Sequence, residues 1–152
     1  MALKVWELVS IVLAAGVAGM FVGPWAALTR SIAGFEPEVF LVVVRRLNRN
    51  MEQVMTVLMP AAMGSILPVL WLTYGVRMRT FYADVAGLAL LLVALAVTLA
   101  VEVPIVKQIV GWTPETMPGD WEALRDRWSR FHLVRIGTGI GGLVALVAGV
   151  AF

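Results

Sequence analysis

The sequence predicts an all-α fold, an integral membrane four-helix bundle with short amphipathic helices in connections one and three. Three observations carry that prediction. Hydrophobic residues make up 61% of the chain and charged residues 14%, where soluble domains carry about a quarter charged. The apolar residues fall into four long runs almost free of charge. Two of the runs repeat a small residue every fourth position, the pattern that lets helix backbones approach closely in lipid.

The four runs cover about residues 5–28, 54–74, 85–103 and 133–152, each long enough to span roughly 30 Å of hydrocarbon. The 152 residues are read as a single four-span membrane domain, 1–152. The first run is too long for a signal peptide, has Glu7 inside its start, and continues through Trp25 without a clear cleavage site, so it is expected to be a permanent helix. In connection one, Pro37 can start a short helix over Glu38–Arg49 with Phe40, Val43, Val44 and Leu47 on one side. Residues 75–84 form a short turn, which makes spans two and three antiparallel neighbours. Connection three opens at Pro104 and is broken by Gly111, Pro114, Pro118 and Gly119, after which Asp120 is placed to cap a helix running into span four. Pro60 and Pro68 are expected to kink span two and to open a cavity there. The small-residue stripes are Ala15, Gly19, Gly23 and Ala27 in span one, and Gly137, Gly141, Ala145 and Gly149 in span four. They suit contacts within the bundle or between copies in a homo-oligomer.

Composition also excludes functions. A net charge of +2 gives no basic field for nucleic acid. The absence of cysteine rules out disulfides, thiolate metal sites and iron–sulfur clusters, and a single histidine argues against structural zinc. The expected partners are the bilayer and a lipophilic small molecule. Arg30, Arg45, Arg46, Arg49, Lys107, Arg125, Arg127 and Arg130 lie in connections one and three, against Lys4, Arg77 and Arg79 opposite. The positive-inside rule puts connections one and three in the cytoplasm, the membrane being the cell (inner) membrane.

The candidate chemistry lies between Glu102 and Arg135. On one helix, Trp121, Arg125, Trp128, His132, Arg135, Gly139 and Gly142 follow a four–three spacing along one stripe. Glycines opposite aromatics can leave room for a flat apolar ligand with His132 and Arg135 at its polar edge. Trp121 and Arg127 fit better in an interface belt that reaches the headgroups. Glu102 ends the uncharged run Val85–Val101, and an ionisable group there is a functional candidate by default. Arg45, Arg46, Asn48, Arg49 and Asn50 cluster just before span two, where a headgroup anchor is the plain alternative. Met51, Met55, Met59 and Met63 form a stripe better suited to a flexible apolar wall than to copper(I).

Taken together, Glu102-Val-Pro-Ile105, Gly111-Trp112, Pro118-Gly-Asp-Trp121, Arg125-Asp-Arg-Trp128 and His132-Leu-Val-Arg135 resemble the anthrone oxygenase-like membrane proteins. The resemblance is strongest over residues 102–135 and extends loosely over the whole chain. One departure is Val106, where members of the family commonly have asparagine. The resemblance implies a four-helix membrane bundle and O2-dependent oxidation of an anthrone to an anthraquinone, with no cofactor. On that basis His132 suits the base, and Glu102 the group that orients or replaces it. Arg135, with Arg45 or Arg46, would stabilise the enolate oxygen. Trp112, Trp128, Met55 and Met59 would hold the flat rings. Two alternatives remain beside this one. One is a non-catalytic membrane protein that binds a lipophile or docks a partner as an assembly subunit. The other is a small transporter that exchanges protons at Glu102.

Overall fold

A computed structural model describes residues 1–29 and 31–152; Arg30, counted above with connection one, lies outside the described residues. Five helices account for most of it: α1 (Ala2–Pro24), α2 (Pro37–Thr73), α3 (Met78–Val97), α4 (Val103–Gly111) and α5 (Trp121–Ala151). A π-helical turn, Thr98–Glu102, joins α3 to α4, and another, Trp25–Thr29, follows α1. Four stretches, Ala2–Leu28, Pro37–Thr73, Met78–Gly111 and Trp121–Ala151, are long and apolar enough to cross a membrane. The chain is a membrane protein built as a four-helix bundle.

The connections differ from the sequence expectation. The helix starting at Pro37 does not stop before span two but runs unbroken to Thr73. Between Glu38 and Val54 there is neither glycine nor proline, so nothing ends it. Pro104 likewise does not end span three. It sits at the start of α4, where its missing N–H costs little, and the π turn carries the chain past it. The amphipathic segments of connections one and three are therefore extensions of spanning helices. Asp120 stands at the N-cap of α5 but makes no side-chain capping bond. Pro60 and Pro68 lie inside α2 and leave the carbonyls of Thr56 and Gly64 without their helical donors. Gly75 closes the α2–α3 turn with φ of 74°, a conformation that costs a residue with a Cβ.

In the bundle α1 packs on α2 and α5, and α3 packs on α5 and α2. The closest approach is between α3 and α5. A Cβ on Gly87 would lie 3.1 Å from the Gly142 carbonyl oxygen, and one on Gly142 would lie 3.2 Å from that of Gly87. The glycines that bring α5 into the bundle are Gly139, Gly142 and Gly149, while Gly137 is exposed with nothing near it. The stripe of Ala15, Gly19 and Gly23 on α1, with Ala27 in the turn that follows it, faces outward.

Two cores result. One fills the bundle with Val17, Phe21, Met59, Ile66, Leu91 and Leu146. The other joins the start of α2 to α4 and the start of α5 through Phe40, Leu41, Val44, Ile105, Ile109 and Trp128. At 37 residues, α2 is about 55 Å long against about 30 Å of hydrocarbon, so it is longer than one crossing needs.

Candidate functional site

At the junction of the two cores lies a cavity of about 520 Å³, a size that suits a drug-sized ligand. Its apolar wall includes Phe21, Val44, Met55, Met59, Leu95 and Val106. Its polar wall is Glu102, Trp128, His132 and Arg135, all under 10% exposed.

α5 presents three of those residues because its stripe is real. Arg125, Trp128, His132, Arg135, Gly139 and Gly142 are all buried on one face, as the four–three spacing requires. Glu102 reaches them from the π turn between α3 and α4. One Glu102 carboxylate oxygen, Oε2, pairs with Arg135 Nη1. The other, Oε1, faces His132 Nδ1 at 3.5 Å. His132 Nε2 lies 3.0 Å from the Phe21 carbonyl oxygen. A carbonyl only accepts, so this bond assigns the ring hydrogen to Nε2 and leaves Nδ1 as the lone-pair nitrogen of the neutral ring. The Arg135 guanidinium also lies 4.3 Å from the centre of the Phe21 ring, a cation–π contact away from water.

Buried polar atoms in proteins are nearly always hydrogen-bonded. Among the described residues five buried side-chain atoms are not, and four of them belong to this wall: Glu102 Oε1, His132 Nδ1, Arg135 Nε and Trp128 Nε1. Two are acceptors and two are N–H donors. A ligand that gives up a proton at one point and accepts hydrogen bonds at another satisfies all four.

The other sequence candidates separate. Met55 and Met59 line the cavity, as do Met51 and Asn48. Arg45 does not face it freely: its Nε donates to the Val110 carbonyl at 3.3 Å and its Nη2 donates to that of Trp112, which caps the end of α4. Arg46 is exposed and away from the cavity. Trp112 packs against the second core and borders a separate shallow pocket with Trp121 and Arg127. The space over Gly139 is taken by the Phe21 ring and that over Gly142 by Gly87 and Leu91, so neither glycine opens room for a ligand. Trp121 stacks on Phe40 at 4.9 Å and lies under Arg125 at 5.1 Å. Arg127 is exposed.

Phe21 escaped sequence reasoning. Nothing in an apolar residue signals that its carbonyl will hold a histidine, although its place on the Ala14–Val17–Phe21 face marks it as inward. A second polar pair lies at the other end of the bundle, where Arg77 Nη1 bonds Glu7 Oε1 at 3.0 Å.

No curated protein and no solved structure matches the chain. The family model for anthrone oxygenase matches residues 48–145. That segment covers more than half of the chain and holds the whole polar wall of the cavity, and the chain belongs to the anthrone oxygenase family.

Proposed function

We propose that the chain is a cofactor-independent membrane oxygenase that oxidises a lipophilic anthrone-like substrate to its quinone. The observation that carries this is the set of unpartnered acceptors, His132 Nδ1 and Glu102 Oε1, beside the unpartnered donors, Arg135 Nε and Trp128 Nε1, on one apolar cavity. The oxygenase-like role itself belongs to the family.

The CH2 of an anthrone is acidic because its carbanion is delocalised onto the ring carbonyl. His132 Nδ1 takes one of its protons, with Glu102 stabilising the imidazolium that forms. The negative charge moves to the carbonyl oxygen, where the N–H groups of Arg135 and Trp128 receive it in a site that excludes water. The electron-rich enolate passes one electron to O2, and the two radicals combine to form a carbon–oxygen bond. The peroxide then takes the proton back from His132. Removal of the second C–H proton by the same nitrogen breaks the O–O bond, and hydroxide leaves and is protonated to water. One O2 is consumed, one oxygen atom stays in the quinone and the other leaves as water. Arg45 is engaged by carbonyls and Arg46 is exposed, so the oxyanion role falls to Arg135. The arginine bias of connections one and three supports a cytoplasmic position for this end of the bundle.

The test is direct. Purified protein mixed with emodin anthrone should produce quinone absorbance and take up O2 in equal amounts. His132→Ala should lose roughly a hundred- to ten-thousand-fold in turnover, the usual worth of a positioned base. Full turnover in that variant sinks the base assignment. Tight binding of the anthrone with no turnover by the unaltered protein favours a lipophile-binding subunit instead.

A further inference from the structure

The cavity has an outer side as well as a polar wall. It is also bordered by exposed residues: Glu52 and Thr56 on α2, and Leu99, Lys107 and Val110 along α3–α4. Leu99 is 61% exposed although it lines the same cavity as the buried Glu102. The cavity is therefore open sideways, through a cleft between α2 and α3–α4.

The composition of the cleft is graded. α2 and α3–α4 run antiparallel, so Thr56 lies toward Leu99, and Glu52 with Asn48 toward Lys107. Eight residues separate Asn48 from Thr56, and eight separate Leu99 from Lys107, about 12 Å of helix on each side. One end of the mouth belongs to the uncharged run that ends at Val101, so it faces acyl chains. The other end carries a lysine, a glutamate and an asparagine, residues that sit at headgroup level.

We infer that this cleft is a lateral portal, through which a planar lipophilic substrate dissolved in the bilayer slides edge-on to His132. The identity of the substrate rests on the proposed function, but the route does not. A flat aromatic molecule partitions near the headgroups with its polar edge toward water, which is the level and the polarity the mouth presents. The entrance spares the substrate a passage through water. It also leaves the polar wall facing the inner end of the cavity, shielded by whatever fills the mouth.

The chain has no cysteine, so a single introduced thiol reports access unambiguously. Val106 lines the cavity at 7% exposure, whereas Ala94 is fully buried in the bundle core away from it. In liposomes, Val106→Cys should react with a bilayer-dissolved pyrene maleimide roughly tenfold faster, or more, than Ala94→Cys does. Adding Thr56→Trp and Leu99→Trp, which narrow the mouth from both sides, should slow that labelling by a similar factor. Leu95→Cys, half-buried on the same wall, repeats the measurement if Val106→Cys folds poorly. Equal or faster labelling of Val106→Cys by a charged, water-soluble methanethiosulfonate overturns the lateral route, as does labelling unchanged by the two tryptophans. An acyl chain lodged permanently in the cavity would protect Val106→Cys from both reagents and would also overturn it. Labelling needs no turnover, so a protein that labels as expected but oxidises no anthrone condemns the reaction and not the portal.

Discussion

The pair of Glu102 and Arg135 offers the sharpest test of how the site is built. Both side chains are under 10% exposed and they bond each other directly. Removing one partner strands a buried charge, which costs about 3–5 kcal/mol, whereas replacing both with apolar residues is often neutral. Glu102→Leu and Arg135→Leu should each destabilise the bundle by that amount, and the double variant by much less than the sum. Recovery should be incomplete. Arg135 also rests on the Phe21 ring, a desolvated cation–π contact worth up to about 2 kcal/mol that the double variant loses. The assay is SDS-driven unfolding in mixed micelles followed by tryptophan fluorescence, with anthrone turnover measured in parallel. All three variants should be inactive, including the stable double variant. If the two single costs add to within about 0.5 kcal/mol of the double, the residues are uncoupled and the pairing is wrong. If the double variant is both stable and active, the pair is structural and the proposed chemistry fails.

Two further predictions concern residues outside the polar wall. A Cβ on Gly139 would lie 2.8 Å from Phe21 Cδ2, so Gly139→Ala must displace the ring that supports Arg135, within the residue whose carbonyl holds His132. Turnover should fall about tenfold with a loss of roughly 1–3 kcal/mol in stability. Gly16→Ala, whose Cβ would meet Leu58 at an ordinary 3.5 Å, should cost neither; equal effects at the two glycines would refute the role given to Phe21. Arg45→Met should cost about 1–3 kcal/mol in unfolding because it frees the carbonyls at the end of α4, while Arg46→Met should change stability by less than about 0.5 kcal/mol. Turnover that collapses in Arg46→Met at unchanged stability would restore Arg46 to the substrate site.

What could be read from the sequence was what an unbroken helix preserves. From Arg125 to Gly142 nothing interrupts α5, so the four–three spacing correctly put Trp128, His132 and Arg135 on one buried face. Spacing along one helix says nothing of what meets that face. It could not show that Phe21, from α1, would fill the hollow over Gly139 and bond His132. Nor could it separate Arg45 from Arg46. Adjacent residues on a helix point about 100° apart, and only the arrival of α4 decides which of them meets carbonyls.

Glu102 shows why convergence was the hardest feature to foresee. The buried face of α3 runs Thr80, Asp84, Gly87, Leu91, Ala94, in steps of four and three. At about 100° per residue Glu102 falls about 40° from the centre of that face, the angle at which Asp84 is buried, so the helix period itself turns the carboxylate inward. The buried positions that follow are Glu102, Ile105, Val106 and Ile109. The same face runs on through the π turn, in which the Val103 N–H bonds the Thr98 carbonyl five residues back. A carboxylate, and not Val101, therefore faces His132 and Arg135. Pro104 is the local reason the ladder yields at this place, since it has no N–H to offer the Ala100 carbonyl. The period of α3 thus marks Glu102 as inward, and what it leaves unmarked is that α5 brings His132 and Arg135 to the same level.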